Sequence, residues 1–284
     1  MAKLVQIIGT HHNPLLPRRF ERAEDHLGIL EGRSWFDDMR RRLDAARPDL
    51  LLAIASDHLN QFFMDNMPPI LVGKAERSQG PFPYEMRQYG IGAYDAPGAP
   101  DAARQIIELS FEHGLDVSFS DEYVMDHAFI IPLMYVRPEA DLPTIPVFTN
   151  VMAPPLPPPG RFYEYGLRLR RVIDGMPGAA RVGVVSSGHL SVEIGGPKPP
   201  GGAFDKDFDA QVVRLIGAGD PEGLLQFATM ERMMEAGNFT PAFLNHVLLL
   251  GLAQGVAPDH AGLVFTDTST LPFFSWDLDK GLAQ

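Results

Sequence analysis

Four histidines stand where this sequence could most readily build a site for chemistry. His12, His58 and His189 each follow an apolar run, and His127 comes directly before one. In open α/β sheets, ligands bind at the carboxyl ends of the strands, so we expect these four imidazoles to surround one crevice. A single polar residue at a strand end is usually a solvated turn residue, but four together favour a site.

The side chains that are present and absent limit the chemistry of such a site. The chain has no cysteine, which excludes a thiolate zinc site, an iron–sulfur cluster, a disulfide scaffold and a cysteine nucleophile. Imidazoles without thiolates suit Fe(II), Mn(II) or Zn(II), and two histidines with one carboxylate form the common non-haem Fe(II) site. The sequence contains neither the nucleophile elbow of a serine hydrolase nor a glycine-rich phosphate loop between a strand and a helix.

The other five histidines are expected to have structural or solvated positions. Three lie in polar or helix-end segments that are typical of the surface: His26, His113 and His260. His11 adjoins His12, and side chains of neighbours in an extended segment point opposite ways, so only one of the two is expected to face the site. His246 lies in the middle of an apolar helix pattern, which predicts a core or interface position.

Strand and helix patterns alternate along the chain and must position these side chains. Apolar runs rich in β-branched residues are followed by amphipathic segments, which predicts an α/β fold. The predicted strands are 3–9, 50–56, 144–151, 180–186 and a closing strand at 262–266. The predicted helices are 35–47, capped by Ser34, then 99–114, 204–216, 221–235 and 240–254.

Two segments rich in proline and glycine, 152–160 and 195–203, are predicted to be extended loops. The composition does not change after either of them, so they are interpreted as loops within one domain rather than as linkers. We therefore predict a single catalytic-type domain over residues 1–284.

The charge balance excludes one class of partner. The chain has 24 basic and 36 acidic residues and a formal charge of −12, so no basic field attracts a polyanion such as nucleic acid. No apolar run approaches the roughly 18 residues that a membrane span needs. The first residues do not resemble a targeting signal. These observations predict a cytoplasmic protein without a nucleic-acid or membrane partner.

Five short motifs occur in an order that resembles the class III extradiol ring-cleaving dioxygenases, the relatives of the protocatechuate 4,5-dioxygenase large subunit. They are Gly9-Thr10-His11-His12-Asn13-Pro14, Ser56-Asp57-His58, Asp126-His127-Ala128-Phe129-(x2)-Pro132-Leu133, Asn150-(x3)-Pro154-Pro155-Leu156-Pro157 and Ser187-Gly188-His189-Leu190-Ser191. The resemblance extends from residue 1 to about residue 255. It implies a central mixed β-sheet flanked by helices.

The resemblance also implies a reaction and roles for the four histidines. His12 and His58 correspond to histidines that bind Fe(II), and His127 corresponds to a histidine near substrate and dioxygen. The implied activity opens the ring of a substituted catechol beside the diol, with O2 as co-substrate. A histidine serves as the acid–base, for which an imidazole is suited because its pKa lies near working pH.

The chain departs from the family pattern at the acid–base histidine. In the family this residue closes a G-G-L-S-H motif, but here Val192 stands at the final position and His189 comes three residues earlier. We expect His189 to take the acid–base role from this shifted position. The alternative is that His189 only shapes the pocket through hydrogen bonds.

A second departure affects the metal. The family's carboxylate ligand lies in a pattern like A-G-x-x-G-x-E-x-x-N-W, and this chain places Ala242 where the Glu is expected. A methyl group cannot bind a metal, and Glu235 lies too far back along the chain to replace the missing carboxylate. Three explanations stay open: an engineered variant, a lineage whose third ligand is elsewhere or water, and a catalytically silent subunit. We expect weakened iron affinity and very low activity.

Two other functions compete with an Fe(II)-dependent extradiol dioxygenase. One is a silent subunit of a hetero-oligomeric dioxygenase, and the other is a metal-assisted hydrolase that uses the same histidines with Zn(II). The expected assembly is a homo-oligomer, to which a small companion subunit could be added.

Overall fold

The structure is a computed structural model that describes residues 1–22, 28–197 and 204–279. His26 and most of the predicted loop 195–203 therefore lie outside the described residues. Ten strands are present in the described part of the chain: β1 (Lys3–Thr10), β2 (Leu50–Ala55), β3 (Ile70–Gly73), β4 (Arg77–Gly80), β5 (Tyr94–Pro97), β6 (Ser118–Ser120), β7 (Thr144–Thr149), β8 (Arg181–Ser187), β9 (His260–Phe265) and β10 (Thr270–Asp277).

The helices of the described residues lie between these strands. They are α1 (Leu16–Glu21), α2 (Ile29–Ala46), α3 (Pro83–Tyr89), α4 (Pro100–Glu112), α5 (His127–Val136), α6 (Pro159–Gly175), α7 (Lys206–Gly217), α8 (Pro221–Phe227), α9 (Met230–Ala236) and α10 (Leu244–Leu252). A 3₁₀ helix, Thr240–Phe243, leads directly into α10.

Eight of the strands form one mixed sheet in the order β6-β3-β7-β2-β8-β1-β10-β9. The four central strands β7, β2, β8 and β1 are parallel, whereas β10 runs antiparallel to β1 and β3 runs antiparallel to β7. Strands β4 and β5 form a separate hairpin-like pair, with α3 between them. This arrangement confirms the predicted α/β fold with a central mixed sheet flanked by helices, while the extent 1–284 stays a prediction.

The sheet is buried on both faces, because side chains along its strands alternate between two apolar cores. Leu50, Leu52 and Ile54 of β2 pack with α4, α6 and α10, whereas Leu51 and Ala53 pack on the opposite side with α2 and α5. Every residue of β2 and β7 is buried. Parallel strands covered on both faces read as continuous apolar runs, which is why these strands were visible in the sequence.

The structure corrects four details of the predicted elements. Helix α2 begins at Ile29, so Ser34 lies inside the helix and is not its cap. The segment 221–235 is two helices, since Thr229 accepts a hydrogen bond from the amide of Arg232 and starts a second one. Strand β9 does not close the sheet, because β10 follows it and pairs with β1. The apolar run after His127 is a helix.

Candidate active site

The four histidines predicted to surround one crevice lie side by side in the structure. The ring centroid of His12 lies 5.3 Å from that of His58, 5.8 Å from that of His127 and 4.1 Å from that of His189. The rings of His58 and His127 are 4.1 Å apart. Their positions follow from the topology, because β1, β8 and β2 are parallel neighbours whose carboxyl ends meet at one edge of the sheet.

The hydrogen bonds behind His12 leave one of its ring nitrogens free to bind a metal. Nδ1 of His12 lies 2.8 Å from Oγ of Ser187, and the hydroxyl of Ser187 donates its only proton to the carbonyl of Ala128. Oγ must therefore accept the hydrogen bond, so the ring proton of neutral His12 is on Nδ1. Nε2 of His12 is left with a lone pair, and this atom is buried without a hydrogen-bond partner.

His58 presents a lone pair for a similar reason. Nδ1 of His58 lies 2.8 Å from Oδ2 of Asp126, and the same oxygen accepts a hydrogen bond from the main-chain amide of His58. A carboxylate oxygen can only accept, so the proton is on Nδ1 and Nε2 is free. Burial lowers the pKa of His58, but the Asp126 carboxylate outweighs it and leaves the pKa raised; the same pairing lowers the pKa of Asp126.

Asp126 has two tasks that the sequence did not reveal. Its Oδ1 accepts a hydrogen bond from the amide of Ala128 and caps α5, while its Oδ2 holds His58. Asp57, the chain neighbour of His58, accepts hydrogen bonds from three turn amides, those of residues 60, 61 and 62. The neighbour in sequence therefore caps a turn, and the residue that holds the ring comes from 68 positions away.

His127 is backed by a buried carboxylate. Its Nδ1 lies 2.5 Å from Oε1 of Glu85, a residue with no exposed surface in α3. The proton of neutral His127 is therefore on Nδ1, and its Nε2 is free to accept a proton. No motif or spacing in the sequence indicates this pairing. An acidic residue in the first turn of a helix is usually explained by the helix dipole.

His189 differs from the other three because its partner is another histidine. Nδ1 of His189 lies 2.9 Å from Nε2 of His11, and Nδ1 of His11 accepts a hydrogen bond from the amide of Asn13. Burial lowers the pKa of His11 to about 3 and lowers that of His189, whose imidazole neighbours lower it further. His11 and His12 both contribute a ring to the cluster, since β1 ends at Thr10 and its alternation ends there, but His11 is the one of the two that belongs to the described cavity lining.

Position 242 lies close to this cluster, although Ala242 itself has no metal-binding atom. Ala242 is buried in the 3₁₀ helix before α10, and its carbonyl oxygen lies 2.5 Å from where a Cβ of Gly188 would stand. It therefore lies against the residue that precedes His189. Among the described residues, two groups are close enough to share an ion: His12 with His58 and His189, and His58 with Asp126 and His127.

The cluster opens into a cavity of about 600 Å³. Its described lining includes His11, His58, His127 and His189, the apolar or aromatic residues Pro14, Leu15, Leu59, Tyr84, Tyr89, Met152, Val192, Ile194 and Phe239, and the polar residues Asn13, Glu193, Thr268 and Ser269. Four aromatic residues that the sequence places near His58 and His127 do not belong to the described lining: Phe62, Phe63, Tyr123 and Phe129. A mainly apolar cavity with a few converging polar groups is typical of a small-molecule site.

Other sequence expectations concern residues away from the cavity. His246 is buried in α10 between the rings of Phe243 and Phe274, which confirms its predicted core position. The basic segment 161–171 forms part of α6, where Arg161 and Arg168 both pair with Glu164 and are not part of the cavity lining. None of the helices in the described ranges is long and apolar enough to cross a membrane.

Comparison with known proteins shows which family and which relatives this chain is similar to. The family model described as the catalytic LigB subunit of aromatic ring-opening dioxygenase matches residues 7–271. The chain is 30% identical over 234 residues to the 2,3-dihydroxyphenylpropionate/2,3-dihydroxicinnamic acid 1,2-dioxygenase of Rhodococcus sp, a match that covers 82% of this chain and 69% of that one. It is 33% identical over 181 residues to a Pseudomonas putida enzyme of the same name, numbered 2, and covers 53% of that enzyme.

A solved structure supports the same fold. The crystal structure of an uncharacterized protein from Escherichia coli K12 superimposes with a TM-score of 0.58 at 17% identity and covers 96% of this chain and 99% of that one. The match of the family model to most of the chain confirms the resemblance that the five motifs carry. The chain belongs to the family of catalytic LigB subunits of aromatic ring-opening dioxygenases.

Proposed function

We propose that this chain is an Fe(II)-dependent extradiol dioxygenase that opens the ring of a substituted catechol beside the diol. The observation that carries the proposal is the pair of free Nε2 lone pairs on His12 and His58, two rings with ligand atoms within 4.8 Å of each other, of which His58 lines a cavity of substrate size. Both rings are held from behind by hydrogen bonds that keep the proton off Nε2. Imidazole nitrogens held in this way are the usual protein ligands of Fe(II).

The residues present fit such a metal. The buried Nε2 of His12 has no other partner, and an unpaired polar atom in the interior normally indicates a ligand or an ion. His12 and His58 would hold the iron, which supplies a shared binding point for the two catechol oxygens and O2 and a path for electrons between them. Ala242 contributes no ligand, so the affinity for iron is expected to be low.

His127 is the proton acceptor of this proposal. Glu85 holds its Nδ1–H, so the free Nε2 lies toward the cavity side of the ring and can take a proton from a catechol hydroxyl. A buried carboxylate behind an imidazole stabilises the charge that the ring acquires when it takes that proton. The apolar lining of the cavity limits the water that competes for the same proton.

The charge of the cavity indicates the kind of ring substituent. Apart from histidines, Glu193 is the one charged side chain of the described lining. One guanidinium at the cavity wall, that of Arg19, donates to the hydroxyl of Thr268 and pairs with Asp267. The named substrates of the relatives carry a carboxylate, whereas the part of the lining that the structure describes offers no lysine or arginine to pair with one. We therefore propose a catechol with an uncharged substituent.

Oxygen consumption tests the reaction. The protein is loaded with Fe(II) without air, mixed with catechol or 4-methylcatechol, and exposed to O2 while oxygen uptake and the yellow colour of a ring-opened product are followed. We expect slow uptake that Ala242→Glu accelerates, because a carboxylate beside Gly188 adds a third ligand, and an anionic one, to the two neutral imidazoles. His113→Gln, on the surface away from the cavity, is the matched control. Absence of uptake in both the parent and Ala242→Glu would exclude a dioxygenase.

The same preparations separate the two alternatives. A hydrolase loaded with Zn(II) consumes no O2, and a silent subunit binds no stoichiometric iron even with Glu at 242. A panel that includes 2,3-dihydroxyphenylpropionate tests the substituent. If that substrate is preferred over 4-methylcatechol, the proposal of an uncharged substituent is wrong while the reaction stands. Light scattering of the loaded protein tests the predicted homo-oligomer.

A further inference from the structure

The pair formed by His11 and His189 has no counterpart in the expectations drawn from the sequence. The family motif quoted above ends in His where this chain has Val192, and His189 stands three residues earlier. Both rings are buried and both line the cavity, with the rings edge to face and their centroids 4.5 Å apart. The hydrogen bond between the two neutral rings holds one proton, which belongs to one of the two facing nitrogens. The tautomer of one ring therefore determines that of the other.

The direction of each hydrogen bond in the pair follows from one main-chain amide. The amide nitrogen of Asn13 can only donate, and it lies 2.8 Å from Nδ1 of His11, so this ring nitrogen is an acceptor. Neutral His11 therefore carries its proton on Nε2. That proton is donated over 2.9 Å to Nδ1 of His189. Neutral His189 must then carry its own proton on Nε2.

We propose that His11 is a positioning residue that fixes His189 as a neutral N–H donor toward the cavity, so that His189 is neither the third metal ligand nor a base. One nitrogen of His189 accepts the proton of His11 and the other carries a proton, so no lone pair is left for a metal. His189 acts by donating a hydrogen bond to an oxygen on which negative charge grows, without transferring its proton. This inference rests on the proposed function for the identity of that oxygen.

Distances alone are compatible with two roles of His189, that of a third metal ligand and that of an N–H donor. One nitrogen of His189 lies within 4.8 Å of nitrogens of His12 and His58, a spacing that permits a three-histidine metal site. The hydrogen bonds behind the rings separate them, because Ser187 and Asp126 accept protons whereas His11 donates one. The geometry alone makes both rings neutral, because Nδ1 of His11 and Nδ1 of His189 each accept a hydrogen bond. The acid–base role implied by the family resemblance then passes to His127.

Nitrogen-15 NMR of the histidine side chains reads the tautomers directly. The full chain is labelled at histidine, and long-range nitrogen–proton correlations are recorded without metal and with Zn(II) as a diamagnetic probe. We expect Nε2–H tautomers for His11 and His189 and Nδ1–H tautomers for His12 and His58. Zn(II) should shift Nε2 of His12 and His58, while His189 keeps its Nε2 proton. A metal-type shift at His189, or an Nδ1–H tautomer there, overturns the inference.

Two substitutions at His11 separate positioning from packing. His11→Gln keeps an N–H donor near the position of Nε2, whereas His11→Phe fills the space without one, and both lack the acceptor for the amide of Asn13. We expect His11→Phe to give a mixture of His189 tautomers and a kcat lower on the order of 100-fold with little change in KM. His11→Gln should keep the Nε2–H tautomer and lose less kcat.

Equal losses in the two variants, with the His189 tautomer unchanged in both, mean that His11 has only a packing role. The NMR results do not depend on turnover. A chain that shows the expected tautomers but consumes no O2 refutes the proposed function and leaves the inference about His11 standing. If both variants fail to fold, the wild-type tautomers with and without Zn(II) still decide the inference.

Discussion

Two pairs of histidines lie at the same edge of the sheet, and they differ in what their rings offer. The rings of one pair offer nitrogen lone pairs, whereas in the other pair His189 offers an N–H group. The metal pair, His12 and His58, follows β1 and β2, and the His11–His189 pair follows β1 and β8. The residue type and the place in the fold are alike, although His58 is partly exposed and the other three rings are buried. What differs is the group behind each ring, which accepts a proton in the metal pair and donates one to His189. The partner behind an imidazole therefore decides whether the ring offers a lone pair or a proton.

The largest expected effect comes from removing a ring of the metal pair. His12→Ala or His58→Ala takes away one of two nitrogen ligands, and we expect neither protein to bind stoichiometric iron or to exceed the activity of metal-free protein. His189→Gln, on the other side of the comparison, should bind iron as the parent does. Metal analysis after anaerobic loading measures the difference. Loss of iron in His189→Gln would mean that His189 also binds the metal and is not an N–H donor.

A second prediction extends the comparison to His127, which also has an acceptor behind it. Glu85→Gln replaces the carboxylate by an amide that cannot stabilise a protonated ring, so kcat should fall by about 100-fold. Iron content should stay that of the parent, because Glu85 contacts no ring of the metal pair. Steady-state kinetics and metal analysis on the same sample test both statements. An unchanged kcat would remove His127 from the proton acceptors.

A smaller effect is expected from weakening the acceptor behind His58. Asp126→Asn keeps the shape of the side chain but removes the charge, so iron affinity should fall by about 10- to 100-fold. Asp57→Asn is the matched control, since Asp57 is a neighbour of His58 that holds only turn amides. That variant should lose stability but keep its iron affinity. Competition with a metal-binding dye gives both iron affinities. Equal losses of affinity in the two variants would contradict the view that the acceptor behind His58 determines how well this ring binds iron.

A separate effect, on stability rather than on iron or turnover, is a dependence of stability on pH in the metal-free protein. The pKa is lowered by burial to about 3 at His11 and to about 4 at His246, and it is also lowered at His12 and His189. The unfolded chain takes up protons at these rings near pH 6.5, while the folded chain does not. The free energy of unfolding should therefore decrease as pH falls below about 6.5, by about 1.4 kcal/mol per pH unit for each ring.

His58 opposes this trend, because its raised pKa adds stability at low pH that is lost as pH rises through the folded value. Four rings lower the free energy of unfolding on acidification and one ring raises it. The net result is therefore a loss of stability. Urea unfolding at pH 7.5 and pH 5 measures it. His246→Leu, a core substitution outside the cavity, should reduce the difference by the share of one ring. A stability that does not change between these pH values contradicts neutral rings on both sides of the site.

Much of the frame of this site could be predicted from the sequence, because buried parallel strands are continuous apolar runs whose ends are easy to locate. The positions of His12, His58 and His189 followed from those ends. The groups behind the rings could not be predicted, since Glu85 is 42 residues from His127 and His11 is 178 residues from His189. Such contacts depend on how elements pack, and spacing in one sequence carries no record of packing.

Two missed elements have local reasons. Strand β10 contains Pro272, which weakened the strand pattern, although the preceding turn pairs β10 with β9. The β4–β5 pair was missed because its strands have only four residues each and are partly exposed. An edge unit of this kind lacks the continuous apolar run that marked the central strands.

The β4–α3–β5 unit has a consequence for how this family can vary. It lies outside the eight-stranded sheet, yet it supplies Tyr84 and Tyr89 to the cavity wall and Glu85 to the ring of His127. It is docked where Gln79 accepts the amide of Met125 and where Gly80 leaves no room for a Cβ against the Met125 carbonyl. One unit outside the main sheet thus carries two tyrosines of the cavity wall and also the carboxylate behind His127. A graft of this unit between relatives would transfer substrate range and proton chemistry together, as a single inherited trait.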